Sequence, residues 1–366
     1  MFAVAEKRSE EPLKSSAVAQ HDKIPWVYHA RGIAIMLIVY RHVVLGMTFS
    51  DVHVSPLMYD LQMVFFNFRM PAFFILSGVF IRKSLNNKTE KIVARNKVYT
   101  LLYPYILWSF LTVLLQICFS HFSNARRTWV DFEYILIQPR ALDQLWYLIA
   151  LFNTSILFLV LYRFLKNKPL MHILIAIGLH YLALYIYSYS FFSDFCNFYI
   201  YFLTGALLSD KLLNINSRNK ILNPSFLKWV FPLFLIGQWF WFENNTETLT
   251  RKDTLQAIRP GYETVFLFIN YIGCFVLFIC SLLLAKAKRY EWLAYIGRNS
   301  LYIYILHVQI AAVMRKIVRD MYPNIDPWLL LAICFFCGIV IPLVLVANLR
   351  KFGFERLFTL PTKEKL

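Results

Sequence analysis

The chain alternates between long apolar runs and short polar breaks that are mostly basic. A helix needs about 20 apolar residues to cross a bilayer. Ten runs approach that length, at about 28–47, 62–81, 98–119, 145–163, 170–189, 195–209, 226–242, 263–285, 293–313 and 327–349. The pattern predicts an all-α fold, a polytopic transmembrane bundle of about ten helices. The run at 195–209 is the shortest of them. Pro71, Pro104 and Pro232 fall in or beside runs, where neighbouring helices can satisfy the backbone groups they free. The polar flanks divide the chain into a tail over 1–25, a membrane domain over 26–349 and a basic tail over 350–366.

Composition agrees. Of 366 residues, 59% are hydrophobic and 16% charged, and the mean hydropathy is +0.52. Soluble domains average about 25% charged residues. The net charge of +17 invites a nucleic-acid reading. Its distribution argues against one, because Lys and Arg cluster in the breaks. With the N-terminus inside, inner segments hold 26 Lys or Arg and outer segments 9. The positive-inside rule then places both termini in the cytoplasm. The outer segments 120–144 and 243–262 are long enough for lids or short helices. Six cysteines lie in or beside apolar runs, so no disulfide framework is indicated. The Cys334–Cys337 pair reads as small packing residues.

Charge inside the apolar runs carries the chemistry. The first run, YHARGIAIMLIVYRHVV, holds Arg31, Arg41 and His42. Ten residues separate Arg31 from His42. Eleven steps of a helix return to nearly the same face, roughly 16 Å further along. An intramembrane Arg costs about 2.5–3.5 kcal/mol to insert, so it is seldom idle. Arg31 near the inner end suits a phosphate, although snorkelling to headgroups also explains an Arg there. His42, deeper, suits proton abstraction; a packed, hydrogen-bonded histidine is the alternative. Arg41 points about 100° away from His42.

The second run adds Arg69, Pro71 and the small pair Ser77-Gly78, which permits close helix contact. The fourth begins with Asp143 and Trp146 at the outer interface, and the ninth carries His307 at about the depth of His42. Two histidines and Arg69 suggest a polar cavity in the outer half. No carboxylate or cysteine shares their spacing, so no metal site is expected. Intramembrane Arg and His also serve ion-coupled transport, so a glycan or lipid transporter or flippase is the competing class.

Arg31 and His42, then RMPAFFILSG (69–78), LWYLIALF (145–152), YFLTGALL (201–208) and SLYIYILH (300–307), together resemble acyltransferase family 3, the membrane-bound carbohydrate O-acyltransferases. The likeness spans about 26–345. Arg41 departs from it, since small or apolar residues are common before the histidine. The resemblance implies transfer of an acetyl group from acetyl-CoA to a carbohydrate hydroxyl, on an exopolysaccharide, another envelope glycan or a lipid-linked repeat unit, at a bacterial inner membrane. It implies that Arg31 holds CoA and that His42 acts at the transfer centre. Around those two, Arg69 or Ser77 would stabilise the oxyanion, His307 would orient the acceptor, and Asp143 and Trp146 would line its approach.

Overall fold

The computed structural model describes residues 24–118, 127–213, 221–245 and 262–360. Most of the tail over 1–25, the end of the basic tail and the stretches 119–126, 214–220 and 246–261 lie outside the described residues. Among the described residues there is helix and no strand. A helix occupies each of the ten predicted positions. Among the described residues seven stretches are long and apolar enough to cross a membrane: Pro25–Thr48, Pro56–Leu85, Glu90–Cys118, Pro139–Leu165, Glu263–Lys286, Ser300–Met321 and Pro327–Lys351.

Helix α1 (Pro25–Thr48) is the axis of the bundle. Pro25 at its first position supplies a preset φ and lacks a donor that would have had no partner. Around α1 pack α2 (Pro56–Val64), α3 (Arg69–Leu85), α11 (Glu263–Lys286), α12 (Glu291–Arg298), α13 (Ser300–Met321) and α14 (Pro327–Lys351). Outside α3 lie α6 (Trp146–Leu165), α7 (Pro169–Tyr185) and α8 (Ser190–Leu207), with α8 seated against α3 and α7. Helix α10 (Leu227–Asn245) leans on α11. Short α4 (Glu90–Lys97) leads into α5 (Tyr103–Cys118), and α9 (Ser209–Leu213) follows α8.

Three predicted runs are built differently from the expectation. The run at 62–81 does not start at 62: α2 is capped by Ser55, whose Oγ accepts from the Met58 N–H at 3.4 Å, and a turn at 65–68 precedes α3. The run at 98–119 begins earlier, at Glu90, and passes through a π-helical turn at Val98–Leu102. Pro104 explains that turn, since it has no N–H for the Thr100 carbonyl and so loosens the ladder there. The run at 293–313 is two helices. They break at Asn299, whose side-chain amide donates to the Tyr295 carbonyl at 2.9 Å and caps the end of α12.

Helices in lipid gain little from hiding apolar surface from one another, so close backbone approach matters more. Two reciprocal glycine contacts provide it. A Cβ on Gly78 would strike the Phe202 carbonyl on α8, and one on Gly205 would strike the Ile75 carbonyl on α3. Likewise Gly297 meets the Tyr28 carbonyl and Gly32 meets that of Leu293, which fixes α12 against the first turns of α1. Substituting Gly78 by Leu is therefore expected to abolish the folded, monodisperse protein in detergent. Gly178→Ala, on α7 with open space around it, should be neutral or stabilising by about 0.5–1 kcal/mol. Size-exclusion profiles and unfolding midpoints check both.

Candidate functional site

Two polar centres lie along α1. The deeper one joins His42 of α1 to His307 of α13, with ring centroids 5.1 Å apart and planes at 65°. His307 is fully buried, whereas His42 is partly accessible. The His307 Nδ1 lies 2.9 Å from both the Ile303 and Tyr304 carbonyls. Two carbonyl neighbours require a donor, so Nδ1 carries the hydrogen and Nε2 of the neutral ring holds a lone pair. That Nε2 is buried and has no partner among the described residues. Tyr304 packs on both the His307 ring and Tyr147, and Tyr147 in turn packs on Phe74. Ser77, on the same face of α3 as Phe74, sits beside the Tyr147 hydroxyl.

Arg69 opens α3 and is buried at 3% exposure. Its Nη1 donates to the Leu37 carbonyl at 2.8 Å and its Nε to the Phe66 carbonyl at 3.2 Å. The first of these bonds ties α3 to α1 five residues before His42. Arg41 donates to Gln62 Oε1. The guanidiniums of Arg41 and Arg69 both lie over the Phe66 ring, at 4.4 and 5.1 Å.

Polar contacts gather at the start of α6. Trp146 lies under the guanidinium of Arg140, 4.0 Å from its ring centroid. Arg140 in turn grips the buried carboxylate of Asp194 at 2.7 and 2.9 Å through Nε, with Nη2 also at 2.7 Å. Asp143 adopts φ 64°, ψ −129°, a conformation that stores about 1–3 kcal/mol in a residue other than Gly. Its carboxylate accepts from Gln116 Nε2 at 3.2 Å. Neighbouring Gln144 is buried and donates to the Ile305 carbonyl at 3.1 Å, two residues from His307. Arg140, Asp194 and Gln144 were not candidates in the sequence. The signal existed: a carboxylate at the head of the sixth run and a basic residue before the fourth. Their pairing across 54 residues was invisible.

The second centre is a cavity of ≈ 530 Å³ at the N-terminal end of α1. Its walls include Arg31, Lys88, Asn96, Lys97, Thr100 and Arg298, and no acidic residue lines it among those described. Arg31 lies over Phe80 at 5.2 Å and Arg298 over Tyr28 at 5.7 Å. The π-turn of Val98–Leu102 carries Thr100 into this wall and follows directly on Lys97. Arg31 thus lines a basic pocket together with three other cations. Four cations from three separate segments suit a ligand carrying several phosphates. Among the described residues no group of three metal-ligating side chains occurs.

The structure therefore brings His42 and His307 together, sets Arg69 and Ser77 on the α3 side of that pair, and places Arg31 in a distinct pocket. Asp143 and Trp146 lie at the N-terminal end of α6, each engaged by a neighbour. A comparison with family models matches residues 24–347 to an acyltransferase domain. No curated protein and no solved structure matches the chain. On that match and its apolar helices, the chain belongs to acyltransferase family 3 and is an integral, multi-pass membrane acyltransferase.

Proposed function

We propose that the protein moves an acetyl group from cytoplasmic acetyl-CoA to a hydroxyl of an envelope or secreted polysaccharide, or of its lipid-linked repeat unit. We place it in a bacterial inner membrane, with ten spans and both termini in the cytoplasm. The observation that carries this reading is that one helix, α1, reaches the basic pocket at Arg31 and, eleven residues on, meets His307 at His42. The CoA phosphates cannot enter hydrocarbon. They stay against Arg31, Lys97 and Arg298, while the narrow pantetheine arm runs along α1. The distance of roughly 16 Å between Arg31 and His42 suits an extended arm.

At the far end, His42 takes the proton of the acceptor hydroxyl. The oxygen attacks the thioester carbonyl, a C–O bond forms, and the C–S bond breaks as the tetrahedral intermediate collapses. The imidazolium of His42 returns its proton to the departing thiolate of CoA. His307 presents only a lone pair at Nε2, because its N–H is spent on two carbonyls. It accepts a hydrogen bond from the acceptor and holds it in place. Arg69 and Ser77 are the donors assigned to the oxyanion. Trp146 and Asp143 shape the way in.

General base catalysis is typically worth 10²–10⁴-fold. His42→Ala is expected to lower acetylation of membrane glycans by that range, measured as the mass of released polysaccharide. Wild-type acetylation at equal protein abundance would exclude the base role. For Arg31→Ala, the loss of a charge-assisted contact of about 1.5–3 kcal/mol raises the KM for acetyl-CoA roughly ten- to a hundredfold. The kcat changes much less. An unchanged KM would remove Arg31 from the donor site.

A further inference from the structure

The stretch 59–67 and the neighbouring turn of α1 hold polar groups that the acetyl-transfer chemistry does not use. Arg41 is buried at 7% exposure and Arg69 at 3%. No carboxylate forms an ion pair with either among the described residues, whose ion pairs are Arg127–Asp131, Arg140–Asp194 and Lys316–Asp320. Asp194 is spent on Arg140, and Asp60, on α2, makes no ion pair. The two guanidiniums share one aromatic ring, Phe66. A cation–π contact offsets only a fraction of what it costs to take an ion out of water. A guanidinium cannot shed its proton to escape.

The amides nearby point the same way. Gln62 is 1% exposed; its Oε1 accepts from Arg41, and its Nε2 is buried with no partner among the described residues. Asn67, in the turn that carries Phe66, is 6% exposed and neither side-chain polar atom has a partner among the described residues. The Tyr59 hydroxyl is also buried without one. Buried polar groups are ordinarily satisfied. Among the described residues several in this stretch stand unsatisfied, and no carboxylate balances Arg41, next in sequence to the transfer histidine.

We propose that the acceptor carries an anionic oxygen group, a phosphate or a carboxylate, and that Arg41, Gln62 and Asn67 hold it beside His42. This rests on the reading of His42 as the transfer centre. A neutral sugar would satisfy the amides and leave the positive charge unmatched. The oxyanion of the transfer step exists only in passing, whereas the charge on Arg41 is permanent and calls for a partner in the ground state. Arg41 and His42 lie about 100° apart on α1. One acceptor unit thereby presents its charged substituent to the first and its hydroxyl to the second.

The test is binding, read without turnover. The purified full chain in detergent is titrated with glucuronate, glucose 6-phosphate, glucose and glycerol 1-phosphate at constant ionic strength, following the unfolding midpoint. At least one charged sugar should raise the midpoint, and glucose and glycerol 1-phosphate should not; which sugar acts identifies carboxylate or phosphate. The apparent Kd of that sugar should rise tenfold or more in Arg41→Gln and in Asn67→Leu. It should stay within twofold in Arg31→Ala, which alters the basic pocket instead. Asn67→Leu removes two unsatisfied buried atoms, so it folds even where Arg41→Gln does not. The proposal is overturned if no charged sugar exceeds glucose, if the shift survives Asn67→Leu and any Arg41→Gln protein that folds, or if Arg31→Ala alone abolishes it. A response to glycerol 1-phosphate equal to that of the sugars would instead mark a lipid-headgroup site. None of these readouts needs acetyl transfer, so failure of the enzymatic reading would be seen separately.

Discussion

Charge in hydrocarbon has to find something polar, and the design of this protein follows from where its guanidiniums find it. Arg31 turns into a cavity lined by other cations and hydroxyls. Arg69 reaches the Leu37 and Phe66 carbonyls, and Arg140 closes on Asp194. Arg41 has one amide oxygen and one aromatic face. Each solution forces a helix end or turn inward, and together they leave a polar interior inside an apolar bundle. An isolated Arg at the bilayer centre costs about 2.5–3.5 kcal/mol on insertion scales. The fold absorbs that cost several times over, consistent with binding and chemistry in its interior.

The histidine pair depends on helix depth, and backbone contacts set that depth. Gly32 and Gly297 bring α12 against the first turns of α1 with no side chain between them. The break at Asn299 then sends α13 off, and His307 meets His42. On the other side of α1, the Arg69–Leu37 bond fixes where α3 starts. Contacts of this kind have no slack: a methyl group at either glycine would collide with a carbonyl oxygen. The site is precise because the wall behind it is backbone on backbone.

Much of this was legible in the chain. Apolar runs marked the helices, because hydrocarbon leaves the backbone few alternatives. Arg31, His42, Arg69 and His307 stood out because a charged or titratable group in such a run is costly. The Ser77-Gly78 pair announced a close contact, and Gly78 makes one with α8. What the sequence hid was pairing. Arg140 meets Asp194 across 54 residues and Gln144 meets Ile305 across 161, and no local pattern encodes either distance. The breaks at 65–68 and Asn299 were hidden too, because each interrupts a run whose hydropathy continues. At the second, the Asn299 side-chain amide and backbone N–H both close on the Tyr295 carbonyl.

The account stands on a donor whose phosphates rest in the basic pocket while its acyl end lies beside the two imidazoles. The direct measurement is a cryo-EM structure of the protein in nanodiscs with a non-hydrolysable acetyl-CoA analogue. The account predicts phosphate density against Arg31, Lys97 and Arg298, and the acyl group next to His42 and His307. Nucleotide density at the histidine end, or an acyl arm turned away from α1 with protein filling the space between the two centres, would contradict it.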